Sequence, residues 1–312
     1  MAFPTETVYG LGADAANPDA IARIFQTKGR PSTNPLIIHV AFVNIARRYV
    51  SEWPKIASDL ADAFWPGSLT LILPKNAIIP DSATAGLQTI ALRVPNHPLA
   101  RRLLEAFDGP LAAPSANRST HVSPTTAQHV RDEFPESAAS GGAAENDPAL
   151  ILDGGACAIG IESTVLDLTT STPTILRPGL VTAADLEPLI GPVQFQHASR
   201  DVSVPAASPG QQETHYAPIT PTYRFATSQR GIIRPENNGL VILSPLRVFK
   251  QWGSIIAMPN DPLDYARHLY AVLRDLDTMK LRAIFIEIPP DEPKWAAVRD
   301  RLMRASRPLP PS

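Results

Sequence analysis

The stretch Thr89-Ile90-Ala91-Leu92-Arg93-Val94, followed closely by Pro98-Leu99-Ala100-Arg101-Arg102-Leu103-Leu104, decides the fold class. The first run is apolar, contains β-branched residues and ends at a proline, which is typical of a buried strand. The second run places apolar residues three and four positions apart, as an amphipathic helix does. A strand that leads into a helix in this way indicates an α/β fold.

The same alternation extends toward both ends of this stretch. Residues 36–40 (LIIHV) and 69–73 (LTLIL) predict further strands, and residues 21–25 (IARIF) predict a helix. We therefore expect residues 1–193 to form one α/β domain.

A change of composition marks the end of this domain. Residues 194–221 are polar and carry several prolines, which predicts a linker. After it, residues 239–243 and 283–288 read as buried strands on either side of a helix at residues 262–280. One helical stripe of that segment is apolar and comprises Tyr265, Leu269, Val272, Leu273 and Leu276. Residues 222–312 are therefore predicted to form a second, smaller α/β domain.

Charge and cysteine content exclude several classes of protein. The 312 residues include 28 Lys and Arg against 30 Asp and Glu, a formal net charge of −2, so the overall field does not attract nucleic acid. The single cysteine, Cys157, excludes an internal disulfide framework and a cysteine-based zinc site. No apolar run reaches the roughly 18 residues that a membrane helix needs. We expect a cytoplasmic protein without a membrane partner.

Lys28 and Arg30 are the first candidates for an anion site. Gly29 and Pro31 keep this segment out of a regular helix, so the two cations can converge on one phosphate. A solvated basic turn is the alternative, and the residues alone leave both open.

Two later segments add candidate ligand-binding groups. Ser115 and Asn117 point to the same side of an extended segment, where their neutral groups suit a nucleotide or an amino acid; a helix cap is the alternative. Arg177 lies in an apolar setting and needs an anion or a structural acid as partner. Phosphate-binding loops of the P-loop and dinucleotide types are absent from the sequence, as is a His-Glu-x-x-His metal motif.

In this order, the motifs resemble the YrdC-like domain of the threonylcarbamoyl-AMP synthase family. The resemblance extends from Phe3 to about Pro192, and the 208–218 segment with the C-terminal region is similar to the long, two-domain form of that family. The matching motifs are PTETVYGLG, KGRP, NPL, FWPGSLTLIL, LRVPNHP, APSANRS, ILDGG, IESTV and LRPG, then SPG and THYAP in the linker. The resemblance implies a twisted mixed sheet with helices, followed by a Rossmann-like α/β domain.

The resemblance also implies an activity. Members of the family condense L-threonine, bicarbonate and ATP to threonylcarbamoyl-AMP and pyrophosphate. Their product serves a transferase complex that forms N6-threonylcarbamoyladenosine in tRNA, so tRNA is an indirect partner. Mg²⁺ is expected to arrive with ATP rather than in a protein cage.

By the same resemblance, particular residues take particular roles. Lys28 and Arg30 face the triphosphate and carbamate as catalytic groups. The L-threonine site comprises Thr7, His39, Arg93, Ala113 and Ser163, with Arg93 binding the carboxylate through two parallel hydrogen bonds. The ATP site comprises Arg30, Asn34, Thr89, Ser115, Asn117, Ser123, Arg177 and, closing over it from the linker, Tyr216.

Two other functions remain open from the residues. An RNA-binding module with a YrdC-like fold is one, although the chain lacks Arg and Lys runs interleaved with aromatics. A carbamoyl-adenylate-forming domain of the hydrogenase-maturation type is the other, and it expects zinc-finger flanks that one cysteine does not supply.

Overall fold

The computed structural model describes residues 1–135, 148, 150–196, 215–233, 236–243 and 254–309. The chain folds into two compact units. The first unit comprises Met1–Ser119, Pro124–Ala158 and Glu162–Gln211, and the second comprises Thr120–Ser123, Ile159–Ile161 and Gln212–Ser312. Most of the predicted linker, residues 197–214, lies outside the described residues.

The first unit contains a mixed sheet of eight strands among its described residues. Its order is β10-β9-β8-β5-β6-β4-β7-β3. These strands are β3 (Ala13–Asp14), β4 (Ile37–His39), β5 (Leu69–Pro74), β6 (Thr89–Arg93), β7 (Leu111–Ala112), β8 (Thr164–Asp167), β9 (Thr174–Arg177) and β10 (Gln194–Phe195). A separate antiparallel pair is formed by β1 (Ala2–Pro4) and β2 (Tyr9–Leu11). The predicted mixed sheet is confirmed, since β6 is parallel to β4 and antiparallel to β5.

Helices connect these strands in the alternating pattern that the sequence predicts. They are α1 (Pro18–Lys28), α2 (Val43–Ala46), α3 (Lys55–Phe64), α4 (Asp81–Thr84), α5 (Pro98–Phe107), α6 (Ala127–Glu133) and α7 (Ala183–Ile190), with a 3-10 turn at Arg47–Tyr49. Helix α1 begins where Asn17 accepts hydrogen bonds from the backbone N–H groups of Asp19 and Ala20, and it ends at Gly29 in the left-handed conformation (φ 58°).

The apolar runs that predict strands form the core of the first unit. Leu69, Leu71 and Leu73 of β5 are fully buried, as are Ile38 of β4 and Leu92 of β6. Alternate residues Ile72 and Ala91 pack into a second cluster on the other face of the sheet. Both faces are therefore covered, which explains why these strands read as continuous apolar runs.

The second unit is a parallel α/β sheet of the Rossmann-like type. Its strand order is β13-β12-β14-β11-β15, and each pair of neighbours is parallel. The strands are β11 (Thr222–Phe225), β12 (Gly239–Ile242), β13 (Ser254–Ala257), β14 (Ile284–Glu287) and β15 (Arg307–Pro308). The helices are α8 (Pro262–Thr278) and α9 (Ala296–Ala305), with 3-10 turns at Thr227–Ile232 and Pro293–Trp295.

Helix α8 shows how closely the apolar stripe predicts burial. Tyr265, Leu269, Leu273 and Leu276 of the predicted stripe are buried, and Val272 is half-buried. The sequence predicts β12 and β14 on either side of this helix but not β13, which lies between β12 and the helix in the chain. No helix among the described residues has the length and apolar character needed to cross a bilayer.

Candidate functional site

One edge of the first sheet collects polar side chains, and strand register explains why. His39 and Arg93 end the parallel strands β4 and β6 and are register partners. Strand β5 runs antiparallel to β6, so it begins at this edge, and Leu69 at its start pairs with Thr164 at the start of β8. We call this edge, with His39, Thr70, Arg93, Ser163 and Arg177, the polar edge.

Arg93 is 3% exposed and is held from three sides. Its Nε donates to the carbonyl of Gly67 at 3.1 Å and its Nη1 donates to Oγ1 of Thr7 at 3.0 Å. Its Nη2 donates to Oε1 of Glu6 at 2.6 Å, in a buried ion pair. A guanidinium has five N–H groups, so two of them have no partner among the described residues.

The turn between β1 and β2 supplies two of these contacts because Thr5 organises it. Oγ1 of Thr5 donates to the carbonyl of Val8 at 2.6 Å and lies 2.8 Å from Oγ1 of Thr7. It also accepts hydrogen bonds from the backbone N–H groups of Thr7 and Val8. The small hydroxyl residues of this motif thus fix the turn by local side-chain to backbone bonds. Thr7 and Glu6 are thereby placed against Arg93.

Glu6 is a contact that the sequence does not predict. The resemblance gives Arg93 a ligand carboxylate as partner, whereas the structure gives it a protein carboxylate already. A signal is present nonetheless: a buried arginine requires an acid or an anion, and Glu6 stands beside Thr7 in the same motif. Thr70, whose Oγ1 lies 2.8 Å from Oγ of Ser163, is a second residue of the polar edge that the sequence does not predict.

His39 is buried next to Arg93 and is held neutral. Burial lowers the pKa of His39 to about 3, with a further lowering by the charge of Arg93. Its Nδ1 lies 3.3 Å from the carbonyl of Ile37, and its ring meets that of Phe3 edge to face. A neutral imidazole offers a hydrogen bond to a ligand without a positive charge.

Ser163 and Arg177 form the other end of the polar edge. Arg177 donates from Nε to the carbonyl of Ser163 and from Nη2 to its Oγ, both at 3.0 Å. The backbone after Arg177 approaches so closely that a Cβ on Gly179 would lie 2.3 Å from the nitrogen of Thr164. Only glycine fits this approach, which explains the glycine in the LRPG motif.

Lys28 and Arg30 flank the left-handed turn at Gly29 and have different surroundings. Lys28 is 2% exposed, and its ammonium donates to the carbonyls of Ser115, at 2.5 Å, and Asn117. Burial lowers the pKa of Lys28 well below its usual range, and the charge of Arg30 lowers it further. Arg30 is half-buried and donates from Nη2 to the carbonyl of Pro35 at 3.2 Å.

Lys28 contacts the backbone of two residues that the sequence also predicts to bind a ligand, Ser115 and Asn117. Ser115 forms a β-bridge with Gly10 of the first motif, and the amide nitrogen of Asn117 donates to the carbonyl of Arg118 at 2.7 Å. The structure therefore brings Lys28, Ser115 and Asn117 together. It brings Arg93, Thr7 and His39 together as a second group.

The remaining predicted residues of the first unit are spread more widely. Asn34 and Ala113 are buried, and the backbone N–H of Ala113 donates to the carbonyl of Ile37 at 3.0 Å. Thr89 begins β6 while Arg93 ends it, so about 13 Å of extended strand separates them. Thr89 is therefore not part of the polar edge.

Ser123 and Tyr216 belong to the second unit, although Ser123 lies within the predicted first domain. Tyr216 is 1% exposed and adopts a positive φ of 60°, which is rare for a bulky residue. Its ring stacks on Tyr270 with centroids 5.6 Å apart, contacts His215 edge to face, and lies 5.2 Å from the guanidinium carbon of Arg301. Within its own unit, Tyr216 is thus fixed by aromatic and cation–π packing.

Chemically, these residues suit anionic ligands. Arg93 and the neutral His39 lie beside hydroxyl groups, which suits an amino acid, whereas Lys28, Arg30 and Arg177 supply positive charge suited to phosphates. Cys157 is not placed for nucleophilic chemistry, because burial raises the pKa of its thiol to about 12. Among the described residues, no group of three or more His, Cys, Asp and Glu side chains is arranged to hold a metal ion.

Two family models match the chain. One, described as "Telomere recombination", matches residues 1–179, and the other, described as "Threonylcarbamoyl-AMP synthase, C-terminal domain", matches residues 181–307. Together they span both units.

Curated relatives and a solved structure agree with these matches. Threonylcarbamoyl-AMP synthase of Bacillus subtilis is 38% identical, with 98% of this chain and 89% of that protein covered. The enzyme of the same name from Pyrococcus abyssi is 39% identical, with 98% and 90% covered. The crystal structure of Pyrococcus abyssi Sua5 complexed with L-threonine superposes with a TM-score of 0.86 at 36% identity, covering 98% of this chain and 89% of that one.

Proposed function

The chain belongs to the threonylcarbamoyl-AMP synthase family, and we propose that its first unit condenses L-threonine, bicarbonate and ATP at the polar edge. The observation that carries this proposal is the guanidinium of Arg93, which is buried and fixed by Gly67, Thr7 and Glu6 while two of its N–H groups stay without a partner among the described residues. Two such donors suit an amino-acid carboxylate.

The threonine subsite follows from the groups around Arg93. The carboxylate of threonine would accept from Arg93, and the hydroxyl groups of Thr7 and Ser163 and the imidazole of His39 would bind its polar atoms. All four side chains are at most 3% exposed, so the hydrogen bonds that they make are shielded from water. The L-threonine bound by the Pyrococcus abyssi relative supports this assignment.

The nucleotide subsite is assigned to the remaining cations and hydrogen-bonding groups. Arg30 and Arg177 would contact the phosphates, and the charge of Lys28 would act on them from within the 115–117 segment that it holds. The other proposed ATP contacts are Asn34, Thr89, Ser115, Asn117, Ser123 and Tyr216. Mg²⁺ would enter on the triphosphate, because phosphate oxygens and water are its usual ligands in nucleotide sites.

The proposed reaction is a phosphoryl-centred substitution. The amine of threonine takes up bicarbonate with loss of water, which gives an N-carboxylate. An oxygen of this carboxylate attacks the α-phosphorus of ATP, and pyrophosphate leaves. Charge gathers on phosphate oxygens beside an anionic carbamate, so fixed cations stabilise the transition state.

The product would pass to a transferase complex that modifies tRNA, with the synthesis located in the cytoplasm. The enzyme is better supported than the RNA-binding module, because curated relatives named as synthases match 98% of the chain and its formal net charge is −2. The same coverage, which includes the second unit, favours the long synthase over the hydrogenase-maturation type.

Incubation with ATP, ¹⁴C-bicarbonate and L-threonine tests the proposal. We expect pyrophosphate and labelled threonylcarbamoyl-AMP in equal amounts, each dependent on all three substrates. Serine and L-allo-threonine serve as matched substrate controls. Pyrophosphate release that does not depend on threonine would contradict the assignment, and salt-sensitive tRNA binding without turnover would favour the RNA-binding module.

A further inference from the structure

We propose that Glu6 is a positioning residue for the amino-acid subsite: it fixes the orientation of Arg93 and balances its charge before the carboxylate of the substrate arrives. This inference rests on the proposed role of Arg93, and it adds a residue to which neither the resemblance nor the comparisons assign a role.

Both carboxylate oxygens of Glu6 are engaged by the protein. Oε1 accepts from Nη2 of Arg93 at 2.6 Å, and Oε2 accepts from the backbone N–H of Asn96 at 2.9 Å. Asn96 lies three residues beyond the end of β6. Glu6 therefore connects the turn after β1 to the segment that leaves β6, and its position is determined from both oxygens.

The restraint on Arg93 reaches all three nitrogens of its guanidinium. Gly67 holds Nε, Thr7 holds Nη1 and Glu6 holds Nη2. Thr7 is itself held through its Oγ1 by Thr5. An arginine side chain loses much rotamer freedom when it binds a ligand, and here that freedom is lost on folding. The substrate carboxylate then meets a preorganised pair of donors.

A purely structural role explains this arrangement less well. A buried ion pair is weak support for stability, since apolar residues of similar volume often serve as well. The Glu6–Arg93 pair also leaves two N–H groups of the guanidinium without a partner among the described residues, at the edge where His39 and Ser163 lie. An arginine placed only for stability would gain by using them.

Steady-state kinetics of Glu6→Gln and Glu6→Asp test the proposal. Glu6→Gln keeps the shape of the side chain and removes its charge and one hydrogen-bond acceptor. Glu6→Asp keeps the charge but shortens the side chain by one methylene, which moves the carboxylate away from Arg93. We expect Glu6→Gln to raise the KM for threonine at least tenfold, with the KM for ATP and kcat within twofold of the wild type. Glu6→Asp should raise the same KM by a smaller factor.

The matched control is Glu105→Gln, which removes the carboxylate of an exposed pair with Arg101 in helix α5. It should change neither KM. In the Arg93→Lys background, Glu6→Gln should add less than a twofold change, because its effect acts through the arginine fork. A full additional tenfold effect in that background would overturn the proposal.

The two assignments fail in different ways. If Arg93→Lys raises both KM values equally, the carboxylate site at Arg93 is wrong, and the positioning role of Glu6 falls with it. If Arg93→Lys raises the KM for threonine alone while Glu6→Gln changes nothing, or changes both KM values equally, only the role of Glu6 is overturned.

A measurement on the wild-type protein covers the case in which the Glu6 variants do not fold. In ¹⁵N-arginine NMR spectra, the resonance of Arg93 is identified by its loss in Arg93→Lys. We expect separate signals from its terminal nitrogens before threonine is added, because rotation of the guanidinium is blocked. A single averaged signal that separates only with threonine would overturn the proposal.

Discussion

The ammonium of Lys28 donates to the backbone carbonyl of Ser115 at 2.5 Å, across 87 residues of sequence. It donates to the carbonyl of Asn117 as well. The end of helix α1 is thus joined to the segment that carries two proposed nucleotide contacts. Lys28 therefore has a structural role that Arg30, two positions further along the chain, does not share.

Lys28→Met and Arg30→Ala should both abolish adenylate formation, but the first should destabilise the fold more than the second. Lys28→Met leaves two carbonyls without their buried donor, which costs about 1–3 kcal/mol for each group left unsatisfied. Arg30 is half-buried and donates to the carbonyl of Pro35, so its loss should cost about 1 kcal/mol. Urea unfolding and pyrophosphate release measure the two effects. Wild-type turnover in Arg30→Ala would show that the anion site is wrongly assigned.

Arg93→Lys should raise the KM for threonine more than the KM for ATP. Lysine keeps the positive charge but loses the planar fork, so it cannot donate to Gly67, Thr7, Glu6 and a substrate carboxylate together. The KM values come from initial rates with each substrate varied in turn. Equal increases would indicate that Arg93 serves the fold rather than the amino acid.

His39 should make the protein less stable in acid. Its pKa is about 3 in the folded state and about 6.5 when unfolded, so below pH 6.5 the unfolded state binds the proton more readily. The contribution of His39 to the free energy of unfolding is therefore fully present above pH 6.5 and is lost as the pH falls toward 3. At pH 5 the loss amounts to about 2 kcal/mol.

Urea unfolding of His39→Gln at pH 7 and pH 5 isolates this contribution. The substitution should reduce the difference in unfolding free energy between the two pH values by about that amount. His268→Gln, on the exposed side of helix α8, provides the matched control for the replacement of a histidine. An unchanged difference in His39→Gln would mean that the histidine is protonated as readily folded as unfolded.

Tyr216→Ala should raise the KM for ATP or the rate at which the adenylate is hydrolysed, if this residue covers the nucleotide as proposed. The substitution also removes a buried ring from Tyr270 and Arg301, so a loss of stability of about 3 kcal/mol is expected. Tyr223→Ala is the matched control, because it removes a ring stacked on Phe285 in the same unit. Equal kinetic effects of both substitutions would assign Tyr216 to packing alone.

The sequence predicts those parts of the fold in which a run is long enough to show a period. Strands β5 and β6 and helix α8 are predictable because six, five and seventeen residues carry their pattern. Strands β3 and β7 have two residues each and show no period. They exist because neighbouring strands offer backbone partners, which is information that a local pattern does not contain.

The residues of the candidate site also differ in whether a local sequence pattern singles them out. Arg93 enters the candidate site through the family resemblance, and its burial agrees with its place at the end of an apolar strand. Lys28 is singled out by the residues themselves, because Gly29 interrupts the helix beside it. The role of Glu6 could not be predicted in this way, because an acidic residue in a turn is ordinarily exposed to solvent. The contact that makes Glu6 different, with Arg93, spans 87 residues. The sequence signals that a buried arginine needs an acid or an anion, but not which acid supplies it.

The length of these connections also governs when the site is assembled. Glu6 leaves the ribosome 87 residues before Arg93, and Thr70 precedes its partner Ser163 by 93. At about 5–20 residues per second, the first interval alone lasts roughly 4–17 seconds. During that time Arg93, the cation that pairs with Glu6, has not yet been made. Closing so long a loop also has a larger entropic cost than forming the local contacts of a helix. A nascent chain stalled before Ser163 would therefore lack the serine of the proposed amino-acid subsite. The segment that leads into β8 would complete an arrangement that begins in the turn after β1.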